Sequence, residues 1–131
     1  MRYVLDASAV MAYLRGESGA DRVEALLTRS SSEIAMHAVN LLEVYYKLAS
    51  YGGESTANEA MDDLAALGIK IHEKVDKPLR LRAGFFKMRY PFLSLADSIC
   101  IALAEQTHCT VVTSDRPFAN VKDGVKLEMI R

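Results

Sequence analysis

The chain has 131 residues, a length that predicts one domain over 1–131 with a core able to stand without disulfides or a structural metal. Half of it is hydrophobic and a quarter charged, no stretch approaches the ~20 apolar residues of a membrane span, and Asp6 cuts short the apolar start, so neither a membrane protein nor a secretory leader is expected and the cytoplasm is the expected compartment. Sixteen basic against seventeen acidic residues give a net charge of −1, which excludes a globally basic nucleic-acid binder and leaves only a local surface for such a partner.

Residues 2–5 are a short apolar run and predict a buried strand. A helix over 7–15 follows, with Asp6 placed to cap it, and a second helix fits 19–30. Glu33 to Met36 reads as the next strand. A long helix runs from about 38 to 50 and ends at Gly52-Gly53, and residues 55–67 form another, stopped by Gly68. Residues 69–71 are a strand, 76–88 a helix, and the region of Pro91 breaks the chain. Ser94 opens a helix to about Glu105. The β-branched run 110–113 is a strand, and 126–130 a last one. Strands alternating with helices predict a parallel sheet covered on both faces, with its site beyond the carboxyl ends of the strands.

That rule directs attention to four acids. Asp6 directly follows the first strand, and Asp115 follows the strand 110–113. Asp97 lies in the first turn of the helix before that strand, and Glu43 lies inside the helix after the second. Each has apolar sequence beside it, the setting of an acid aimed into a cleft. Carboxylates brought together raise one another's pKa, and a hard, oxygen-seeking cation such as Mg²⁺ or Mn²⁺ removes the conflict. Each acid also has a purely structural reading. Asp6 caps a helix, Ser94-x-x-Asp97 is close to a capping box, Glu43 reaches Lys47 at i,i+4, and Asp115 can cap the turn before Pro117. The joint placement is what argues for a site.

These segments resemble the PIN domain nucleases, and most of all the small VapC-type toxins of toxin–antitoxin pairs. The resemblance is carried by Tyr3-Val4-Leu5-Asp6-Ala7-Ser8-Ala9-Val10 and Asn40-Leu41-Leu42-Glu43-Val44. It continues through Leu93-Ser94-Leu95-Ala96-Asp97-Ser98-Ile99-Cys100-Ile101-Ala102 and Val111-Val112-Thr113-Ser114-Asp115-Arg116-Pro117-Phe118. It implies a three-layer α/β/α PIN-like fold with a parallel sheet of four to five strands. It implies a Mg²⁺- or Mn²⁺-dependent endoribonuclease in which metal-activated water attacks phosphorus in line, leaving 5′-phosphate and 3′-hydroxyl ends. Asp6, Glu43, Asp97 and Asp115 take the family's catalytic and metal positions. Ser8 and Thr113 take its helper hydroxyls, and Asn40 a supporting place one turn before Glu43. A cognate antitoxin and a homodimer are the implied protein partners. The family's further acid after the T-x-D has Asp123 as its nearest counterpart, too far along to match, so one tight metal and one weaker, substrate-assisted metal is the expected arrangement.

RNA needs a local cationic surface, and 77–96 contains no acid while carrying Lys77, Arg80, Arg82, Lys87 and Arg89. Arg80, Arg82, Lys87 and Arg89 are therefore the expected phosphate contacts, against a solvated helix face as the alternative. Tyr90 is placed to stack on bases, and Phe92 is expected in the core. Tyr45, Tyr46 and Tyr51 give the long helix an aromatic surface, part core and part suited to a dimer or antitoxin contact. Cys100 and Cys109, nine positions apart, match neither a zinc knuckle nor a redox pair and read as buried thiols. His37 reads as structural. Three other functions are weighed: a haloacid-dehalogenase-type phosphatase, which needs an acid where Ser8 stands; a non-catalytic interaction module; and a housekeeping RNA-processing nuclease on the same fold.

Overall fold

The structure, a computed structural model, describes residues 1–29 and 31–131. Its strands are β1 (Arg2–Leu5), β2 (Glu33–His37), β3 (Lys70–His72), β4 (Thr110–Thr113) and β5 (Leu127–Met129). Its helices are α1 (Ala7–Arg15), α2 (Ala20–Thr28), α3 (Ala38–Ala66), α4 (Lys77–Arg89) and α5 (Leu95–Thr107), with a 3₁₀ turn over Arg116–Asn120. The five strands form one sheet in the order β3-β2-β1-β4-β5, every pair parallel. This is the α/β/α parallel-sheet architecture expected from the alternation of elements.

Side chains alternate across β1 and divide the interior into two layers. Tyr3 and Leu5 point into a core with Val10, Val23, Leu26, Met36, Val44 and Leu48, under α1, α2 and α3. Val4 points the other way, into a core with Phe86, Leu93, Ile101 and Phe118, under α4 and α5. Because β1 and β4 are central and covered on both faces, they read as near-continuous apolar runs. The acids at their carboxyl ends are thereby held at one rim of a rigid sheet.

Element boundaries differ from the sequence expectation for local reasons. Asp76 and Ser94 are N-caps rather than first helical residues, which moves α4 and α5 one position later. The helix predicted over 19–30 runs only Ala20–Thr28, and its expected end at residue 30 lies outside the described residues. The two helices predicted over 38–50 and 55–67 are nearly continuous as α3, but Gly53 breaks them at φ 87°, ψ 170°. That conformation is open essentially to glycine alone. The 3₁₀ turn was not expected, although Pro117 at its start is a usual residue for a first turn. Phe92, expected in the core, is instead 50 % exposed and meets Tyr90 edge-on. The chain turns sharply between α4 and α5 there, which leaves the ring outside the packed layer.

Candidate metal and active site

Asp6 is the first residue after β1, and its backbone N–H still bonds to the Val112 carbonyl as the ladder runs out. Its carboxylate caps α1, accepting from the Ala9 N–H at 2.9 Å. Ser8 Oγ donates to the same carboxylate at 2.8 Å, and Thr113 Oγ1 donates to Oδ2 at 2.6 Å. The two hydroxyls also accept from the start of the β4 loop: Ser8 Oγ from the Ser114 N–H and Thr113 Oγ1 from the Asp115 N–H, each at 2.9 Å. One hydrogen-bonded network thus joins the ends of β1 and β4 and sets the backbone that carries Asp115. Downstream, the Asp115 carbonyl accepts from the Phe118 N–H, and the Phe118 ring is fully buried beneath. The T-x-D-x-x-F spacing is therefore a hydroxyl, an acid and an anchor.

Asp6 is buried, and desolvation pushes its pKa up to about 7 in spite of the donors from Thr113, Ala9 and Ser8, with the Asp97 charge adding to the rise. Asp97 is also raised, chiefly by burial, with the charges of Asp115 and Glu43 adding to it and its bonds to Ser94 opposing. The Cys100 thiol, buried beneath, is pushed well up by desolvation and then by Asp6, Asp97 and Glu43. The fields of these groups overlap, so the fold brings Asp6, Glu43, Asp97 and Asp115 to one neighbourhood.

Two of the four acids are turned to partners of their own chain. Asp97 closes a complete capping box, accepting from the Ser94 N–H at 3.1 Å while its own N–H bonds to Ser94 Oγ at 3.0 Å. Glu43 Oε2 accepts from Lys47 Nζ at 2.7 Å. Among the described residues, no three His, Cys, Asp or Glu side chains stand so as to hold a metal ion without moving. The donor set nevertheless fits a hard dication. It is all oxygen, and one member is buried and pre-set by three donors, while Glu43 and Asp97 would have to release their present partners to join a shared ion.

The remaining sequence candidates fall as follows. Asn40 is 0 % exposed beside this cluster on α3, and neither of its amide atoms has a hydrogen-bond partner among the described residues. A buried amide without a partner is costly, and this one lies on α3 one turn before Glu43. The four expected phosphate contacts of α4, Arg80, Arg82, Lys87 and Arg89, are each engaged. Arg82 forks onto Glu105 at 2.6 and 2.8 Å, and Arg89 pairs with Asp123 at 3.0 Å. Lys87 bonds to the carbonyls of Pro91 and Leu93, and Arg80 to that of Val75. These bonds hold each side chain in place and still leave guanidinium and ammonium donors over for a phosphate. Asp123 accepts from the Tyr90 hydroxyl as well, and that bond and Arg89 hold its pKa down. It ties the β4–β5 connection to α4. His37 is buried at the N-terminus of α3, with Nδ1 accepting from the Val39 N–H and Nε2 donating to the Lys74 carbonyl, a structural role.

Lys47 was marked in the sequence only by its i,i+4 spacing from Glu43, and the structure makes that contact at 2.7 Å. A cavity of about 330 Å³ lies at the opposite, amino end of the strands, between Arg2, Glu33, Lys70 and His72, and contains none of the four acids.

A family model described as PIN domain matches residues 3–124 of the chain. No curated protein matches it. Among solved structures it is similar to VapBC2 from Rickettsia felis bound to a promoter DNA fragment, at TM-score 0.80 and 17 % identity over 100 % of both chains. It is similar to VapBC-1 from nontypeable Haemophilus influenzae at TM-score 0.74 and 15 % identity, over 98 % of each chain. VapC20 from Mycobacterium tuberculosis, described as a sarcin-ricin loop cleaving toxin, aligns at TM-score 0.72 and 18 % identity, over 89 % of this chain and 92 % of that one.

Proposed function

The chain belongs to the PIN domain family, and on that premise we propose that it is a Mg²⁺- or Mn²⁺-dependent endoribonuclease, the VapC-type toxin of a toxin–antitoxin pair. The observation that carries this reading is Asp6. A carboxylate pushed up to about 7 by burial, at the carboxyl end of the central strand and in the field of Asp97, is a costly group to keep unless a cation uses it. A second acid raised by burial, and a third and fourth in the same field, support a dication rather than a lone ion pair.

Asp6, Asp97 and Asp115 would hold the ion, with Glu43 joining them or orienting the attacking water. When bound, a divalent ion supplies the charge that makes water a nucleophile at neutral pH and that offsets charge growing on the phosphate oxygens. The chain's own residues do the positioning. Ser8 and Thr113 hold the Asp6 carboxylate to one orientation by donating to it. Thr113 also fixes the backbone under Asp115. Asn40 offers a free amide to a water or carboxylate of the site.

The substrate class is RNA, in keeping with the description of VapC20, and the protein partner is an antitoxin, in keeping with the VapBC complexes among the structural neighbours. Leu42, Tyr46, Phe92 and Leu95 are exposed large hydrophobic side chains and suit a homodimer or antitoxin contact. No helix among the described residues is long and apolar enough to cross a membrane.

The deciding experiment is cleavage of total RNA with Mg²⁺ or Mn²⁺, comparing wild type with Asp97→Ala. Cleavage that EDTA stops and that the variant loses is expected. Wild-type rates in the variant, or activity indifferent to EDTA, would end this reading.

A further inference from the structure

Glu43 does not stand in the site alone. Lys47, one turn further along α3, donates to its carboxylate at 2.7 Å, with the Glu43 side chain 21 % and the Lys47 side chain 41 % exposed. On a solvated helix face such a pair contributes little and calls for no further account. Two observations set this one apart. The Glu43 charge is felt by Asp97 and Cys100, so the ammonium is paired with an acid whose field reaches the rest of the cluster. Along the same helix Tyr46 and Tyr51 are 54 % and 66 % exposed, and the Arg15 guanidinium lies 4.5 Å over the Tyr51 ring.

Glu43, Lys47 and Tyr51 recur every fourth residue and so share one side of the helix over about 12 Å at 1.5 Å rise per residue. A strip of cations and aromatic rings therefore leads away from the acids along α3. Unlike Arg82 and Arg89 of α4, whose partners Glu105 and Asp123 are remote acids, Lys47 is paired with a carboxylate that the ion itself would claim.

We propose that Lys47 is an exchangeable counter-ion: it pairs with Glu43 in the metal-free protein, gives that carboxylate up to a divalent cation, and then contacts a phosphate of single-stranded RNA lying along Tyr51 and Arg15. Lys47 has this role only if the acids bind a dication, as proposed above. Two cations cannot share one carboxylate without repulsion, and the flexible four-carbon stem lets the ammonium swing away. A phosphodiester replaces the negative charge it loses. The exposed Tyr51 ring beside it offers stacking that tolerates any base.

The test uses the full chain as Lys47→Gln and Lys47→Arg, with Mn²⁺ binding followed by electron paramagnetic resonance. Binding of a short single-stranded RNA, shown intact by gel, is measured in Ca²⁺ against salt. In Lys47→Gln, Mn²⁺ should bind about two- to fivefold more tightly, since a competing cation is gone. The slope of RNA affinity against salt should shrink by about 0.7, the share of one phosphate contact on a single strand. Lys47→Arg keeps the charge and should keep the wild-type RNA slope. Unchanged Mn²⁺ affinity in Lys47→Gln overturns the counter-ion role, and an unchanged slope overturns the phosphate contact. A variant that loses self-association on sizing but keeps RNA binding assigns the strip to a second copy of the chain and also overturns the proposal. Wild type that binds no Mn²⁺ sinks the metal reading itself, an outcome distinct from wild type and variant binding it equally.

Discussion

Thr113 Oγ1 donates to Asp6 Oδ2 at 2.6 Å, joining residues 107 positions apart at the carboxyl ends of the two central strands. The same oxygen accepts from the Asp115 N–H, so one hydroxyl orients two acids of the candidate site. Thr113→Val keeps the β-branched shape and removes both bonds. A buried carboxyl that loses a donor is left under-satisfied, and the variant should be less stable by about 1–3 kcal/mol in urea unfolding. Its Asp6 pKa, read by carboxyl NMR, should move further upward, because the bond that now lowers it is gone. An unchanged or lower value would show that Thr113 does not act on Asp6.

Stability of the metal-free protein should depend on Asp6 in a definite direction. Its folded pKa of about 7 lies above the ordinary carboxylate value, so the folded state holds the proton more tightly than the unfolded chain. The associated stability is fully present below about pH 4 and is lost as pH rises through about 7, in total roughly 1–4 kcal/mol. Asp97, raised in the same sense, adds to the slope. Asp6→Asn should flatten the dependence, match or exceed wild-type stability at pH 8, and cleave no RNA. Wild type and variant with parallel stability curves from pH 5 to 8 would remove this account of Asp6.

Metal binding should track the same proton. A cation needs the Asp6 carboxylate ionised, so the affinity for Mn²⁺ should rise about tenfold per pH unit below about 7 and level off above it. Calorimetry in buffers of different ionisation enthalpy should show about one proton released per ion at pH 6. Affinity that is flat with pH, with no proton released, would place the ion away from Asp6.

Gly53 allows a clean test of backbone strain. A Cβ there would meet nothing within 4 Å, yet φ is 87° with ψ 170°. Gly53→Ala should cost about 1–3 kcal/mol from conformation alone, with no cavity or clash to share it. Because the break lies beyond Tyr51, Mn²⁺ affinity should stay at the wild-type value. A neutral effect on stability would mean that α3 straightens without cost.

Some of this was legible in the chain itself. β1 and β4 are apolar runs each ended by an acid, and the reading of Asp6 and Asp115 as rim residues needed only that pattern. The capping box at Ser94 and Asp97 was visible in four consecutive residues, and so was the Gly52-Gly53 interruption of α3. The exposure of Phe92 was not visible, since an aromatic residue between Pro91 and Leu93 looks like core until the direction of the turn is known.

What the sequence alone determined is what depends on neighbours along the chain. Periodicity, caps and breaks follow from backbone geometry within a few residues, and these specified the alternating elements and which acids follow strands. The tertiary structure decided the strand order β3-β2-β1-β4-β5 and the desolvation of Asp6. It also committed Arg82 to Glu105 and Arg89 to Asp123. Those outcomes turn on which groups approach and which exclude water from one another, and for Asp6 the decisive neighbour comes from the far end of the chain. Burial and pairing energies act through space, and no spacing along the sequence encodes them.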